Sequence, residues 1–363
     1  MKTCLVYRDR ILPASEQAFM RRQYVAFSSL KPYWVGCHRD NPPADMARAM
    51  RIIGEGHMLG AMRRLAFRQV GWRAGQVVAD LAPVVVHAQF GRGGALALPI
   101  AMQLGLPLAV TFHGGDAFKD RHYSHTFPPS IFQRRWRALV DYAAVFICVS
   151  EGVRSKLLER GVPEQKLEVL AIGTEDTAPV RGPFDRLVFA GRFVEKKGLP
   201  ILLQALRILA LQGLTPSVVL AGDGPLRAAM EQQAQGLEHV VFAGWLSAQQ
   251  LRQQLEQAVA LVVPSVRAAG GDHEGLPSVA AEAMMCGVPV VASTQAGLDE
   301  ATLGGGGLLV PAGDPQALAQ ALAHVLRGSE RSAMGQAARQ AARDQLRASV
   351  QSARLEQRLL SLI

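Results

Sequence analysis

The chain has 363 residues, 49% of them hydrophobic, and a formal net charge of +9. That length exceeds what one hydrophobic core usually organises, so two domains are expected. No stretch reaches the eighteen or more uninterrupted apolar residues of a membrane span, and the charged N-terminus reads as a first β-strand, not a secretory signal.

In chain order, strands are expected at Thr3–Tyr7, Tyr33–Cys37, Val84–Ala88, Leu108–Phe112, Ala144–Val149 and Leu167–Ala171. Several are continuous apolar runs, the pattern of parallel strands covered on both faces. Helical patterns fill the gaps at Ser15–Leu30, Ala44–Ala79, Gly94–Leu104, Pro129–Tyr142 and Gly152–Arg160. The polar segment Gly173–Phe184 breaks the alternation and reads as a linker. A second series follows, with strands at Arg186–Ala190, Ser217–Ala221, Val240–Phe242, Ala260–Val263, Val288–Ala292 and Gly307–Val310. Its helices are expected at Leu199–Gln212, Leu226–Gln235, Ala248–Gln257, Ser278–Met285 and Pro315–Leu326, with a helical tail from about Arg331. The expected domains are therefore 1–174, a linker 175–184, 185–340, and a C-terminal helix 341–363 that returns toward the first domain. Strand–helix alternation of this kind is that of doubly wound α/β domains, whose ligands gather beyond the carboxyl ends of the strands. Two such halves make a cleft between them the expected site.

Four cysteines (Cys4, Cys37, Cys148, Cys286) lack metal-ligand spacing and are expected as reduced core residues of a cytoplasmic protein. Charge is uneven: residues 1–175 hold 23 Lys+Arg against 14 Asp+Glu, whereas residues 176–363 hold 16 of each. A basic first half is compatible with nucleic acid, anionic lipid, a phosphorylated acceptor, or simply solvated arginines. Arg48, Arg51, Arg63, Arg64, Arg68 and Arg73 lie in a Met/Leu-rich region that reads either as an amphipathic surface or as a solvated helix face.

The stretch Glu274-Gly-Leu-Pro-Ser278 through Glu282 to Ser293 carries the most chemistry. Ser278 and Pro277 suit a helix start, placing Glu274 in the preceding loop and Glu282 about one turn inside. The amides of Gly275, Leu276 and Ser278 and the positive helix end suit a diphosphate, and the two carboxylates suit hydroxyls on either side. Upstream, Gly191-Arg192 with Lys197 and Gly222-Asp223-Gly224 follow strands, offering close backbone approach and positive charge for phosphate oxygens. Neither segment matches the Walker loop or the spaced-glycine dinucleotide fingerprint.

With these residues in register, the second half resembles the donor domain of glycosyltransferase family 4, retaining enzymes with two facing Rossmann-like domains and an interdomain cleft (the GT-B architecture). Gly304–Asp314 matches the family's following strand and loop. The first half resembles bacterial exopolysaccharide members through Ser15-Glu16, His87-Ala-Gln-Phe-Gly91 and Thr111-Phe-His113-Gly-Gly-Asp116. The resemblance implies that Arg192 and Lys197 bind the donor diphosphate, Glu282 the ribose, and Glu274 the transferred sugar, with His113 touching that sugar from the first domain. Ser15, Glu16, Gln89 and Asp116 are the acceptor-side candidates. Two departures stand out: Ile172-Gly-Thr-Glu175 where the family often has Asn-Gly-Val-Asp, and Pro13-Ala-Ser15-Glu16 where many relatives carry paired glycines.

The expected donor is a GDP- or UDP-sugar, and the expected acceptor a lipid-linked glycan at the inner membrane. No Asp-x-Asp triplet is present, so catalysis without a metal or other cofactor is expected. The alternatives are a nucleotide-sugar 2-epimerase of the same fold and, from charge alone, a nucleic-acid-binding protein. The first half lacks the interleaved aromatics of the latter.

Overall fold

The computed structural model describes residues 1–11, 16–40, 46, 48–124 and 127–363. They form two units, one of residues 1–173 with 348–363 and one of residues 174–347.

The first unit is built on strands β1 (Lys2–Tyr7), β2 (Leu30–Gly36), β3 (Met50–Ile52), β4 (Pro83–Gln89), β5 (Leu108–Phe112), β6 (Val145–Cys148) and β7 (Leu167–Val169), in the order β3-β2-β1-β4-β5-β6-β7. Every pairing is parallel. Burial on both faces explains why β4 and β5 are almost unbroken apolar runs. The helix Gly91–Leu104 lies on β4 and β5, and small residues let it approach; a side chain at Gly94 would meet Val110.

The second unit carries β8 (Arg186–Ala190), β9 (Ser217–Ala221), β10 (Val240–Gly244), β11 (Ala258–Val263), β12 (Val290–Ser293) and β13 (Gly307–Val310), in the order β10-β9-β8-β11-β12-β13. These pairings are also all parallel. In both units the order reverses beside the first strand, between β1 and β4 and between β8 and β11. The crevice at such a reversal is where doubly wound sheets bind ligands. The core of this unit joins Leu187, Phe189 and Phe193 to the apolar face of helix Leu199–Leu211.

Sequence and structure part company in three places. The region expected as one helix over 44–79 holds strand β3 and a helix only over Gly60–Val70. Gly54 and Gly56 adopt positive φ values of 76° and 73°, and Gly71 ends the helix in the left-handed region. The helix expected over Ser15–Leu30 spans only Gln17–Arg22 among the described residues, and Leu30 already belongs to β2. The tail is two helices, Arg331–Gln345 and Ala348–Leu360, separated by Leu346 and Arg347. The second of them packs in the first unit, where Leu355 and Leu359 join the core of β1 and β2. The Glu356 carboxylate accepts the backbone N–H groups of Ser28 (2.8 Å), Ser29 (2.7 Å) and Leu30 (2.8 Å). All four cysteines are buried and outside any disulfide.

Candidate active site

In the second unit, the loops after β8 and β11 meet at the strand-order reversal. Gly198 has φ 64°, and a Cβ there would collide with the Pro264 carbonyl, so this glycine lets the Glu195–Lys197 turn close on the β11 end. Gly222 is similar: a Cβ would collide with the Gly191 carbonyl. The backbone confirms that loop-on-loop contact, with the Phe193 N–H donating to the Asp223 carbonyl at 2.8 Å. Gly222 and Gly224 are thus required by the contact between two loops, whatever they offer a ligand.

Glu274 lies in the loop before helix Ser278–Met285 and is only 8% exposed. Its Oε1 lies 3.3 Å from Lys196 Nζ and its Oε2 3.2 Å from Lys197 Nζ, while Lys196 also reaches Asp272 at 3.4 Å. Burial pushes the Glu274 carboxyl up, but Lys197 and then Lys196 outweigh it and hold the group below the usual carboxylate range. The result is a buried ionised carboxylate between two ammonium groups, with Gly191 against the Lys197 stem. Arg192, which follows Gly191 in the chain, is exposed. Glu282 sits half-buried one turn inside the helix. Pro277, not Ser278, is the N-cap, and Ser278 begins the helix without a side-chain cap bond. Gly275, Leu276 and Pro277 carry no helical or strand structure and lead directly into that helix.

In the first unit, the sequence candidates gather at the carboxyl ends of β1, β4 and β5, except Ser15, which lies outside the described residues. Gln89 is fully buried, and its amide is occupied: its nitrogen donates to Gln23 Oε1 (2.8 Å) and the Tyr24 hydroxyl (2.6 Å). Gln89 Oε1 pairs with His113 Nε2 at 2.7 Å. Gln89 therefore reaches a ligand only through His113. The Tyr24 hydroxyl also pairs with His87 Nδ1 at 2.9 Å, and His87 Nε2 pairs with Thr111 Oγ1 at 2.7 Å. The same chain fixes His113 as its Nε2–H tautomer, because Gln89 presents an oxygen there. His113 Nδ1 is then an acceptor, and it is buried without a hydrogen-bond partner among the described residues. Burial drives both imidazoles down to about 3, so both are neutral; Arg8 and His87 add to the effect at His113.

The wall around His113 is aromatic. Its ring lies 4.4 Å from Phe90 and 5.5 Å from Phe19. Phe90 adopts φ 66° and ψ 152°, a conformation that costs a non-glycine residue about 1–3 kcal/mol and marks sites held in place by their surroundings. The Arg8 guanidinium lies over the Phe90 ring at 4.2 Å and forms a two-point ion pair with Glu16 at 2.9 and 2.7 Å. Asp116 accepts the backbone N–H groups of Gly91 (2.9 Å), His113 (2.9 Å) and Gly114 (3.0 Å), so it organises the loop that carries His113. Burial pushes its carboxyl up to about 6 against the pull of those donors. Tyr24, Gln23 and Arg8 were missed from sequence; only the position of Arg8, directly after β1 at the reversal, could have signalled one of them.

Among the described residues no group of His, Cys, Asp and Glu is arranged to hold a metal, and no helix is long and apolar enough to cross a membrane.

A family model described as glycosyl transferases group 1 matches residues 185–328, and one described as glycosyl transferase 4-like domain matches residues 23–173. The glycosyltransferase WcaL of Escherichia coli (strain K12), named for colanic acid biosynthesis, is 32% identical over 261 residues, covering 68% of this chain and 62% of that protein. The amylovoran biosynthesis glycosyltransferase AmsK of Erwinia amylovora is 32% identical over 249 residues, covering 65% and 59%. The aligned part thus spans about three fifths of those relatives. Among solved structures, Anabaena HepE in complex with UDP-glucose superposes with a TM-score of 0.74 at 18% identity, covering 99% of this chain and 100% of that one. Sucrose-phosphate synthase from Thermosynechococcus elongatus gives 0.76 at 19% identity, covering 100% and 99%. At those identities the likeness is one of fold, the GT-B plan of two parallel α/β sheets. Motifs, fold and relatives agree: the chain belongs to the group 1 glycosyltransferases, family 4, and the two relatives described above are named for colanic acid and amylovoran biosynthesis.

Proposed function

We propose that the chain transfers a sugar, with retention, from a UDP- or GDP-linked donor to a lipid-linked glycan in exopolysaccharide synthesis, working in the cytoplasm against the inner membrane and without a metal. The observation that carries the reading is the buried Glu274 held between Lys196 and Lys197, where the β8 and β11 loops meet and a helix begins.

In this reading Lys197, Arg192 and the amides around Gly275–Ser278 take the diphosphate, which gains charge as the bond from the anomeric carbon to the phosphate oxygen breaks. Glu282 takes the ribose. Glu274 faces the transferred sugar, where a fixed negative charge favours the positive charge developing on the ring, as in glycoside cleavage. The acceptor oxygen bonds to the anomeric carbon from the leaving-group face, and its proton passes to the departing phosphate. The His113 Nδ1 lone pair accepts a hydroxyl of the donor sugar. A neutral imidazole with a depressed pKa orients that hydroxyl without acting as an acid.

The test is a thermal-shift screen across UDP- and GDP-sugars, followed by product analysis with donor alone. Stabilisation by one nucleotide-sugar class, with only slow release of nucleoside diphosphate when no acceptor is present, is expected. A sugar of changed configuration, nucleotide-linked or free, formed rapidly without acceptor would instead identify an epimerase.

A further inference from the structure

Lys196 and Lys197 are neighbours in the chain, yet their surroundings differ. Both belong to the turn Glu195–Lys197 that follows β8. Lys197 Nζ lies 3.2 Å from Glu274 Oε2, its stem runs against Gly191 at the end of β8, and Glu274 is its one ion-pair partner among the described residues. Lys196 Nζ approaches the other oxygen, Oε1, at 3.3 Å and also lies 3.4 Å from Asp272 Oδ1.

The Lys196 side is sewn to the loop that precedes Glu274. The Val266 N–H donates to the Lys196 carbonyl at 2.9 Å, and the Ala269 N–H donates to Glu195 Oε1 at 2.9 Å. Within that loop the Ala268 N–H donates to the Asp272 carbonyl at 2.9 Å, which fixes Asp272 where Lys196 meets it. His273 Nδ1 donates to the Gly271 carbonyl at 3.0 Å. Burial lowers the His273 imidazole below its usual range, with Arg267 and Lys196 adding to the effect and Asp272 opposing it, so at neutral pH the ring adds no charge beside Glu274. From the loop after β12, Gly297 packs on the Glu274 and Gly275 carbonyls, and residues 294–298 there include no charged side chain.

The charges facing Glu274 are thus two lysines of unequal freedom. Lys197 has one partner and lies at the β8 end, where Arg192 follows Gly191, whereas Lys196 is anchored on two carboxylates. A buried carboxylate stripped of its countercharge takes up a proton, and an arriving diphosphate favours that proton further. We propose that Lys196 is a positioning residue for the transfer: it stays bound between Glu274 and Asp272 while Lys197 turns to the diphosphate, leaving Glu274 a fixed countercharge throughout the reaction. The inference rests on the donor reading above and divides the two lysines of that site between its two tasks.

The test follows release of nucleoside diphosphate from the UDP- or GDP-sugar that stabilises the chain, as a function of pH, in wild type, Lys196→Gln, Lys196→Arg and Lys197→Gln. The acid limb of kcat/KM reports the free enzyme and that of kcat the donor complex. Ionised Glu274 is lost as pH falls through its pKa, so removing an adjacent positive charge moves the limb to higher pH, by about 1–3 units. Lys196→Gln is expected to move both limbs and Lys196→Arg neither, with nucleoside diphosphate affinity in calorimetry close to wild type. Lys197→Gln is expected to move the kcat/KM limb and leave the kcat limb in place. A kcat limb that stays at its wild-type position in Lys196→Gln, or that moves equally in Lys196→Gln and Lys197→Gln, overturns the proposal. So does a loss of nucleoside diphosphate affinity in Lys196→Gln as large as that in Lys197→Gln, because Lys196 would then hold phosphate directly. Where Lys196→Gln does not fold, the Lys197→Gln variant decides alone: an unmoved kcat limb supports the proposal, and a limb displaced by about 1 unit or more overturns it. A wild type that binds no nucleotide-sugar refutes the donor reading and this inference with it, whereas intact donor binding with any of the overturning outcomes refutes this inference alone.

Discussion

Replacing Glu274 with glutamine separates the two roles assigned to the second unit. The side chain keeps its shape and one acceptor oxygen, while the carboxylate held 3.3 and 3.2 Å from Lys196 and Lys197 loses its charge. The cluster of two ammonium groups and one carboxylate then gains one net positive charge. At about 8 Å and an effective dielectric of about 40, that charge is worth roughly 1 kcal/mol toward each phosphate charge. Nucleoside diphosphate affinity is therefore expected to hold or to tighten, by up to about fivefold for each phosphate charge. Turnover should move oppositely: removing a fixed charge that faces the developing charge of the transition state costs about 10²–10³ in kcat. Calorimetric titration with UDP and GDP measures the first quantity, and release of nucleoside diphosphate from the nucleotide-sugar the second. A Glu274→Gln enzyme that binds nucleoside diphosphate tenfold more weakly yet turns over at the wild-type rate would refute the division of labour.

Other predictions concern neighbouring residues. Lys197→Ala should weaken nucleoside diphosphate binding about tenfold or more, the worth of a hydrogen bond to a charged group, whereas His113→Ala should chiefly lower kcat; equal affinity in wild type and Lys197→Ala contradicts the phosphate assignment. Glu356→Ala strands three backbone N–H groups at Ser28–Leu30 and should cost about 3 kcal/mol in urea unfolding of the first unit, with Glu356→Gln recovering part of it. His87 has a native pKa lowered to about 3 by burial, against roughly 6.5 unfolded. The unfolded chain therefore binds the extra proton between those values, and stability falls as pH drops through that window, by about 1.4 kcal/mol per pH unit from this group. A His87→Gln variant whose acid unfolding keeps the wild-type slope between pH 6 and 4 would contradict the assignment.

Much of the fold could be read from sequence because its strands are unbroken apolar runs closed by glycine, as at Arg186–Ala190 before Gly191 and Ser217–Ala221 before Gly222. The Glu274–Glu282 segment was legible for a related reason: a loop, a helix and a strand follow in unbroken order, so local spacing sets the geometry. The region 44–79 misled because its Ala, Met and Arg content favours helix, while Met50–Ile52 is drawn into a strand by parallel pairing with Trp34–Gly36. Tertiary pairing overrode local preference there. The relay from Thr111 through His87, Tyr24 and Gln89 to His113 was illegible for a different reason. Tyr24 meets partners 63 and 65 residues away, and only the folded sheet brings them together. Likewise, nothing near Glu274 announces that Lys196 and Lys197 will flank it.

The most direct test of the account is a crystal structure of the chain with its stabilising UDP- or GDP-sugar bound. The account predicts diphosphate oxygens within hydrogen-bonding distance of Lys197 and Arg192, the ribose at Glu282, and the sugar beside Glu274. A nucleotide-sugar bound elsewhere, with those four side chains untouched, would contradict it.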